Sequence, residues 1–208
     1  IEGAGTDRIV ITGKKELGEG NYEIQGDRIE AATFLIAAAA TGGKITLKGI
    51  EREKLTGIVE LLEQSGCLVI SSGQNISLSA PDKLLATSFA TAPYPGVATD
   101  VQPLLLAALT KAKGISTIEE TIFENRFGHV ADYRRLGAHI NLSSNVATVH
   151  GVEELSSAPV EGMDIRAAAG LVIMGLMANG VTKVAGIHHL DRGYGSFVEK
   201  MKNLGAQI

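Results

Sequence analysis

The sequence predicts an α/β domain made of three repeated βαβαββ units around buried helices, the third unit truncated, and two observations carry that prediction. First, Asp27, Asp100 and Asp164 each open an apolar run, Arg28 to Ala40, Val101 to Leu109 and Ile165 to Met177. Each run stops at a glycine (Gly43, Gly114, Gly180) that is followed by a β-rich segment. Second, the distance from that glycine to the next helix-closing one (Gly66, Gly137, Gly205) is 23 residues in the first two units and 25 in the third. Such regular spacing marks internal triplication. Residues 1–20 then read as the tail of a preceding repeat or an interdomain segment, and 21–208 as one domain with units at about 21–80, 86–150 and 157–208.

Each unit opens with an extended segment: Tyr22 to Ile24, Ser88 to Ala90 and Ala158 to Val160. An aspartate follows at a helix start, where its carboxylate can cap orphan amides; Pro103, which needs no partner in a first turn, favours Asp100 as the cap of the second unit. The helices behind these aspartates are apolar almost all round (Phe34, Leu35, Ile36; Leu104, Leu105, Leu106; Leu171, Val172, Ile173), which is the mark of burial. Strands are expected at Lys44 to Leu47, Ile115 to Ile118 and Val181 to Val184. Second helices follow at Leu55 to Gln64, Val130 to Arg135 and Phe197 to Asn203. The first of these sets Leu55, Ile58, Val59 and Leu62 against Glu60, Glu63 and Gln64, so the sheets are expected to separate two classes of helix. Paired short strands close the first two units, Leu68 to Ile70 with Ile76 to Leu78 and Ile140 to Leu142 with Ala147 to Val149; the third has none. Residues Gly5 to Gly13 resemble the last strand of a unit, and Ile9 to Thr12 are expected to occupy the edge left open in the third. Together these features imply a longer parent protein.

Composition narrows the function. The chain has 208 residues, 45% of them hydrophobic, with a net charge of -4, so it can build a core and gives no support to nucleic-acid binding. The single cysteine fits a reducing cytosol, and the apolar run Ala167 to Ala178 falls short of the roughly 20 residues that span a bilayer, so no membrane association is expected. Cys67 stands where the other units have Ala138 and Ala206, which makes it a small buried residue rather than a nucleophile. Gly42-Gly43-Lys44 follows a helix and is a turn, not a phosphate loop. The five histidines show no metal-ligand spacing, and His188 and His189 face opposite ways if extended; no metal and no cofactor is expected.

The segment Thr91-Ala92-Pro93-Tyr94-Pro95-Gly96-Val97-Ala98-Thr99-Asp100 has no counterpart in the other units and delivers a carboxylate to a helix start. Three further clusters carry charge: Ile122-Phe123-Glu124-Asn125-Arg126-Phe127, Asp164-Ile165-Arg166, and His188-His189-Leu190-Asp191-Arg192-Gly193-Tyr194. Taken singly, each arginine is better explained as a surface ion pair. If the units share an axis, however, equivalent loops and helix starts gather at one end and bring Asp100, Asp164, Arg126, Arg166 and Arg192 within reach of one another. Guanidinium forks suit carboxylate and phosphate, and a carboxylate among them can accept a proton, so the pattern describes an anion site with a general base.

With these residues in view, the chain resembles the enolpyruvyl transferase family, and within it the UDP-N-acetylglucosamine 1-carboxyvinyltransferases that begin peptidoglycan synthesis. The resemblance covers essentially the whole chain and rests on Thr91-Ala92-Pro93 with Thr99-Asp100, Phe123-Glu124-Asn125-Arg126-Phe127, Asp164-Ile165-Arg166-Ala167, and Asp191-Arg192-Gly193-Tyr194, in that order. It implies an inside-out α/β barrel domain, most of the second of two. The implied substrates are phosphoenolpyruvate and UDP-N-acetylglucosamine. It further implies that Asp100 is the base near the sugar 3-hydroxyl and also contacts the sugar, that Ile122 contacts the nucleotide sugar through its backbone, and that Arg192 binds phosphoenolpyruvate. Arg126, Arg166 and Asp164 would line the cleft. The cysteine proton donor of the family belongs to the other domain, so the chain by itself is expected to be inactive. Two other readings remain open: the sibling transferase acting on shikimate 3-phosphate, and a non-catalytic interaction domain.

Overall fold

The computed structural model describes all of residues 1–208. In order, the chain forms α1 (Arg28–Ala40), β1 (Lys44–Lys48), α2 (Thr56–Gln64), β2 (Leu68–Ser72) and β3 (Asn75–Ser79). These are followed by β4 (Phe89–Ala90), α3 (Gln102–Leu109), β5 (Ile115–Glu119), α4 (Val130–Arg135), β6 (His139–Ser143) and β7 (Val146–His150). The last elements are β8 (Pro159–Glu161), α5 (Ile165–Met177), β9 (Lys183–Ala185) and α6 (Phe197–Asn203). Three sheets result, ordered β1-β3-β2, β4-β5-β7-β6 and β8-β9. Within them β4 lies parallel to β5 and β8 parallel to β9, while the remaining pairs are antiparallel.

The three apolar helices α1, α3 and α5 pack on one another at the centre of a continuous hydrophobic cluster, as their all-round apolar faces require. The sheets do not separate two helix classes, contrary to the expectation from amphipathicity. α1 touches α2 directly, and Tyr133 of α4 donates to the Pro103 carbonyl of α3, so both helices of a unit lie on the same side of its sheet. Polar alternation explains this: Ile45, Ile76 and Leu78 are buried, whereas Lys44, Lys48 and Asn75 face water, as in a one-sided antiparallel sheet. Helix ends follow the glycine punctuation. Gly66, Gly137 and Gly205 are left-handed, with φ of +94°, +91° and +97°, and the amides of Cys67, Ala138 and Ala206 reach back to the last turn.

Two expected strands are absent. Tyr22 and Ile24 are 79% and 88% exposed and pair with nothing, which leaves the outer edge of β1 open where β4 and β8 cover β5 and β9. Ile9 to Thr12 do not join the third sheet. Val10 instead exchanges backbone bonds with Glu2 at 2.9 and 3.0 Å across a turn closed by the Thr6 hydroxyl, so its pairing groups are satisfied locally and Ile9 and Ile11 stay exposed.

The aspartates differ in use. Asp27 caps α1 by accepting from the amides of Ile29 and Glu30 at 2.7 and 3.2 Å, and Asp164 caps α5 through Arg166 and Ala167 at 2.7 and 2.9 Å. Asp100 caps nothing, which corrects the reading from Pro103. α3 starts one residue later with Val101 at its cap position, and the preceding turn already occupies the amides of Val101 and Gln102, through Ala98 and Thr99.

Candidate active site

Freed from capping, the Asp100 carboxylate bridges two arginines. Oδ1 accepts from Arg126 Nη2 at 3.1 Å and Oδ2 from Arg166 Nη2 at 2.9 Å. The two guanidinium side chains are 14% and 16% exposed and the carboxylate 41%, so the cations are set into the wall and the anion reaches solvent. The loop before Asp100 is braced on the first repeat. Tyr94 donates to the Glu53 carbonyl at 3.3 Å and lies 5.0 Å from the Arg28 guanidinium. Ala92 N donates to Val97 O and Gly96 N to Pro93 O, each at 2.9 Å, so the loop also closes on itself.

Each arginine is aimed by an aromatic. Arg166 Nη1 donates to the Tyr194 hydroxyl at 3.0 Å with its guanidinium 5.4 Å from the same ring, and that hydroxyl lies 2.9 Å from Thr33 Oγ1 on α1. Burial works against the Arg166 charge, but Tyr194 and Asp100 outweigh it and hold its pKa above the ordinary value. Burial raises the Tyr194 hydroxyl against the opposing pull of Thr33 and Arg166, so it serves as a neutral phenol. Arg126 stands 5.3 Å from the Phe123 ring, in a loop whose turn puts Asn125 at a positive φ of 55°.

Behind Arg126, His129 is buried against Tyr133, and burial lowers its pKa to about 4. The folded value lies below the ordinary 6.5, so the folded state resists protonation; the stabilisation is complete above pH 6.5 and is lost as pH falls toward 4. We expect about 2 kcal/mol of stability to disappear between pH 7.5 and pH 5. Thermal unfolding across that range in the protein and in His129→Gln checks it: the substitution is expected to flatten the profile.

The other expected site residues fall as follows. Asp164 is committed to the α5 cap and so holds the backbone of Arg166 beside Asp100. Ile122 is half exposed; its amide donates to Glu120 at 3.0 Å, and no group of the chain donates to its carbonyl. It lines an open cavity of about 750 Å3 with Phe123, Arg126, Leu142 and Asn145. Arg192 is not gathered into the cluster: it is exposed and forms no ion pair, although neighbouring Gly193 packs on Ile165. His188 and His189 are not extended but sit in a 3-10 turn, Ile187–Arg192, with their rings 4.1 Å apart. Burial pushes the Cys67 thiol up to about 11, in keeping with a packing role.

Sequence reasoning missed Glu120. The residue is 4% exposed and its carboxylate takes four hydrogen bonds: Oε1 from Thr91 Oγ1 at 2.8 Å and from the amides of Ile122 and Phe123 at 3.0 Å each, Oε2 from Thr99 Oγ1 at 2.9 Å. A signal was there to read. The alternation of β5 buries Ser116 and Ile118, and two residues further on it carries an acid to the buried face.

Comparison with known proteins gives this geometry a family. Residues 1–201 match EPSP synthase (3-phosphoshikimate 1-carboxyvinyltransferase). The chain belongs to the EPSP synthase family. Within reach of this family, the chain is 45% identical over all 208 residues to the UDP-N-acetylglucosamine 1-carboxyvinyltransferase of Thermotoga maritima, of which it covers 49%, and 46% identical to that of Geotalea uraniireducens, of which it covers 50%. The chain thus spans about half the length of the curated relatives it matches. Among solved structures, the enolpyruvyl transferase NikO from Streptomyces tendae superposes with a TM-score of 0.79 at 30% identity, over 88% of this chain and 44% of that one. The EPSP synthase of Acinetobacter baumannii shares the fold, with a TM-score of 0.62 at 16% identity over 79% of this chain and 40% of its own. No helix is long and apolar enough to cross a membrane.

Proposed function

We propose that this chain supplies half of the active site of a UDP-N-acetylglucosamine 1-carboxyvinyltransferase, a cytosolic enzyme of peptidoglycan synthesis, and that a further domain of the same protein supplies the rest. The observation that carries the reading is Asp100: alone among three equivalent aspartates it is released from capping and bridges Arg126 and Arg166 at 3.1 and 2.9 Å. A non-catalytic domain has no need to gather two largely buried guanidinium groups on one solvent-reaching carboxylate. The 45% identity to a relative of that name, over the whole chain, supports UDP-N-acetylglucosamine as the substrate.

In this reaction the sugar 3-hydroxyl bonds to C2 of phosphoenolpyruvate while its C3 gains a proton; loss of a C3 proton and of phosphate then restores the double bond in the product. Asp100 takes the proton of the hydroxyl. Arg126 and Arg166 hold Asp100 in place and stabilise the charge that develops as the phosphate leaves. The unpaired carbonyl of Ile122 accepts from the nucleotide sugar, and Arg192, free on the surface, binds phosphoenolpyruvate. Asp164 aligns Arg166 through its backbone. The proton for C3 comes from the other domain, since Cys67 is buried and its thiol pKa raised to about 11. Half a cleft cannot exclude water or orient two substrates, so the 208-residue chain alone is expected to show no turnover.

Calorimetric titration of the whole protein separates this reading from its sibling. UDP-N-acetylglucosamine is expected to bind and shikimate 3-phosphate not to bind; the reverse preference overturns the assignment.

A further inference from the structure

Glu120 lies at the junction of three loops, and none of the chemistry above uses it. Its side chain joins the Thr91–Asp100 loop, through the hydroxyls of Thr91 and Thr99, to the Ile122–Phe123 backbone. Its own backbone is held by the β6–β7 turn: Glu120 N donates to Asn145 O at 2.8 Å, and Asn145 Nδ2 donates to Glu120 O at 3.0 Å. Thr121 ties the same loops again, with its amide donating to Thr91 Oγ1 at 2.8 Å and its hydroxyl to Thr91 O at 2.5 Å. A buried carboxylate is costly unless donors meet it, and here four do, three at Oε1 and one at Oε2. Apolar packing could have filled this position. What an apolar side chain cannot do is fix the amides of Ile122 and Phe123 and the residue preceding Asp100 against a single group.

We propose that Glu120 is a positioning residue that sets the nucleotide-sugar contact at Ile122 and the aim of the Asp100 base together. By engaging the Ile122 and Phe123 amides it orients the intervening peptide groups and leaves the Ile122 carbonyl for the ligand; by holding Thr99 it fixes the turn that carries Asp100. The function is geometric, so reach matters more than charge. Glutamine has the same reach: its Oε1 accepts from Thr91 and the two amides, and its Nε2 donates to Thr99 Oγ1 with that hydroxyl reversed. Aspartate keeps the charge but is shorter by about 1.5 Å and cannot span both loops.

This inference rests on the reaction proposed above, and the test separates the two. In the whole protein, Glu120→Gln is expected to keep kcat and both KM values within about threefold of the parent. Glu120→Asp is expected to raise KM for UDP-N-acetylglucosamine about tenfold or more and to lower kcat by a similar factor, with KM for phosphoenolpyruvate much less changed. Hydrogen exchange gives a readout independent of turnover: the Ile122 and Phe123 amides are expected to stay protected in Glu120→Gln and to lose protection in Glu120→Asp. An inactive parent protein counts against the proposed reaction, and the exchange result then decides the role of Glu120 in loop geometry alone. The proposal is overturned if Glu120→Gln loses activity or amide protection. An aspartate variant indistinguishable from the parent overturns it equally.

Discussion

Asp100→Asn in the whole protein is expected to lower kcat by a factor between about one hundred and ten thousand, with KM for the nucleotide sugar changed far less. Asparagine matches aspartate in size, so the cleft keeps its shape, but it cannot take the proton of the sugar hydroxyl. It also sets an amide hydrogen against one of the two guanidinium groups that now donate to Oδ1 and Oδ2. A stability loss on the order of 1 kcal/mol should accompany the kinetic defect, small because the carboxylate is 41% exposed. Asp27→Asn is the matched control. It occupies the equivalent helix start and only caps, and asparagine caps as well as aspartate, so activity and stability are expected to stay near the parent. Steady-state kinetics on the pair check the claim, and turnover of Asp100→Asn within about threefold of the parent contradicts it.

Gly170→Ala is expected to cost about 2–3 kcal/mol, lowering the melting temperature by roughly 5–10 °C. Ordinarily alanine favours a helix interior over glycine. In α5, however, a Cβ at this position would collide with the Tyr133 hydroxyl and lie 3.4 Å from the Pro103 carbonyl, which that hydroxyl bonds at 3.0 Å. Tyr133 is fully buried and its pKa is raised well above the usual value by burial, so a neutral phenol is wedged between α3 and α5 with nowhere to move. Tyr133→Phe in the Gly170→Ala background removes the clashing oxygen and is expected to recover part of the loss, a non-additive result that simple helix propensity does not give. Thermal unfolding of the parent, Gly170→Ala, Tyr133→Phe and the double variant checks it.

Much of the fold was legible because local chemistry and tertiary role agree in it. The bounds of α1, α4, α5 and α6 follow from aspartate or glycine punctuation and apolar runs, and the hairpins β2–β3 and β6–β7 from alternation around a tight turn. The failures share a physical cause, which is that pairing partners are not written in a strand. Tyr22 to Ile24 has the pattern of its counterparts but no ladder, and Val10 spends its backbone groups on Glu2. For the site, residue types singled out Asp100, Arg126 and Arg166, and the packing of α3 on α5 helps bring them together. The cap assignment failed at Asp100 because the turn from Ala98 to Gln102 occupies the amides of Val101 and Gln102 without it. Glu120 was missed and Tyr194 was named in its motif without a role, because their roles lie in what they hold, and no spacing in the sequence records that Tyr194 joins Thr33 to Arg166 or that Glu120 joins two loops.

The most direct test of the whole account is the mass of the product formed when the whole protein is given phosphoenolpyruvate together with either UDP-N-acetylglucosamine or shikimate 3-phosphate. The expected result is a nucleotide sugar heavier by one enolpyruvyl group, formed with stoichiometric release of phosphate and formed at least about a hundredfold more slowly by Asp100→Asn. An unmodified nucleotide sugar alongside enolpyruvyl transfer to shikimate 3-phosphate contradicts it.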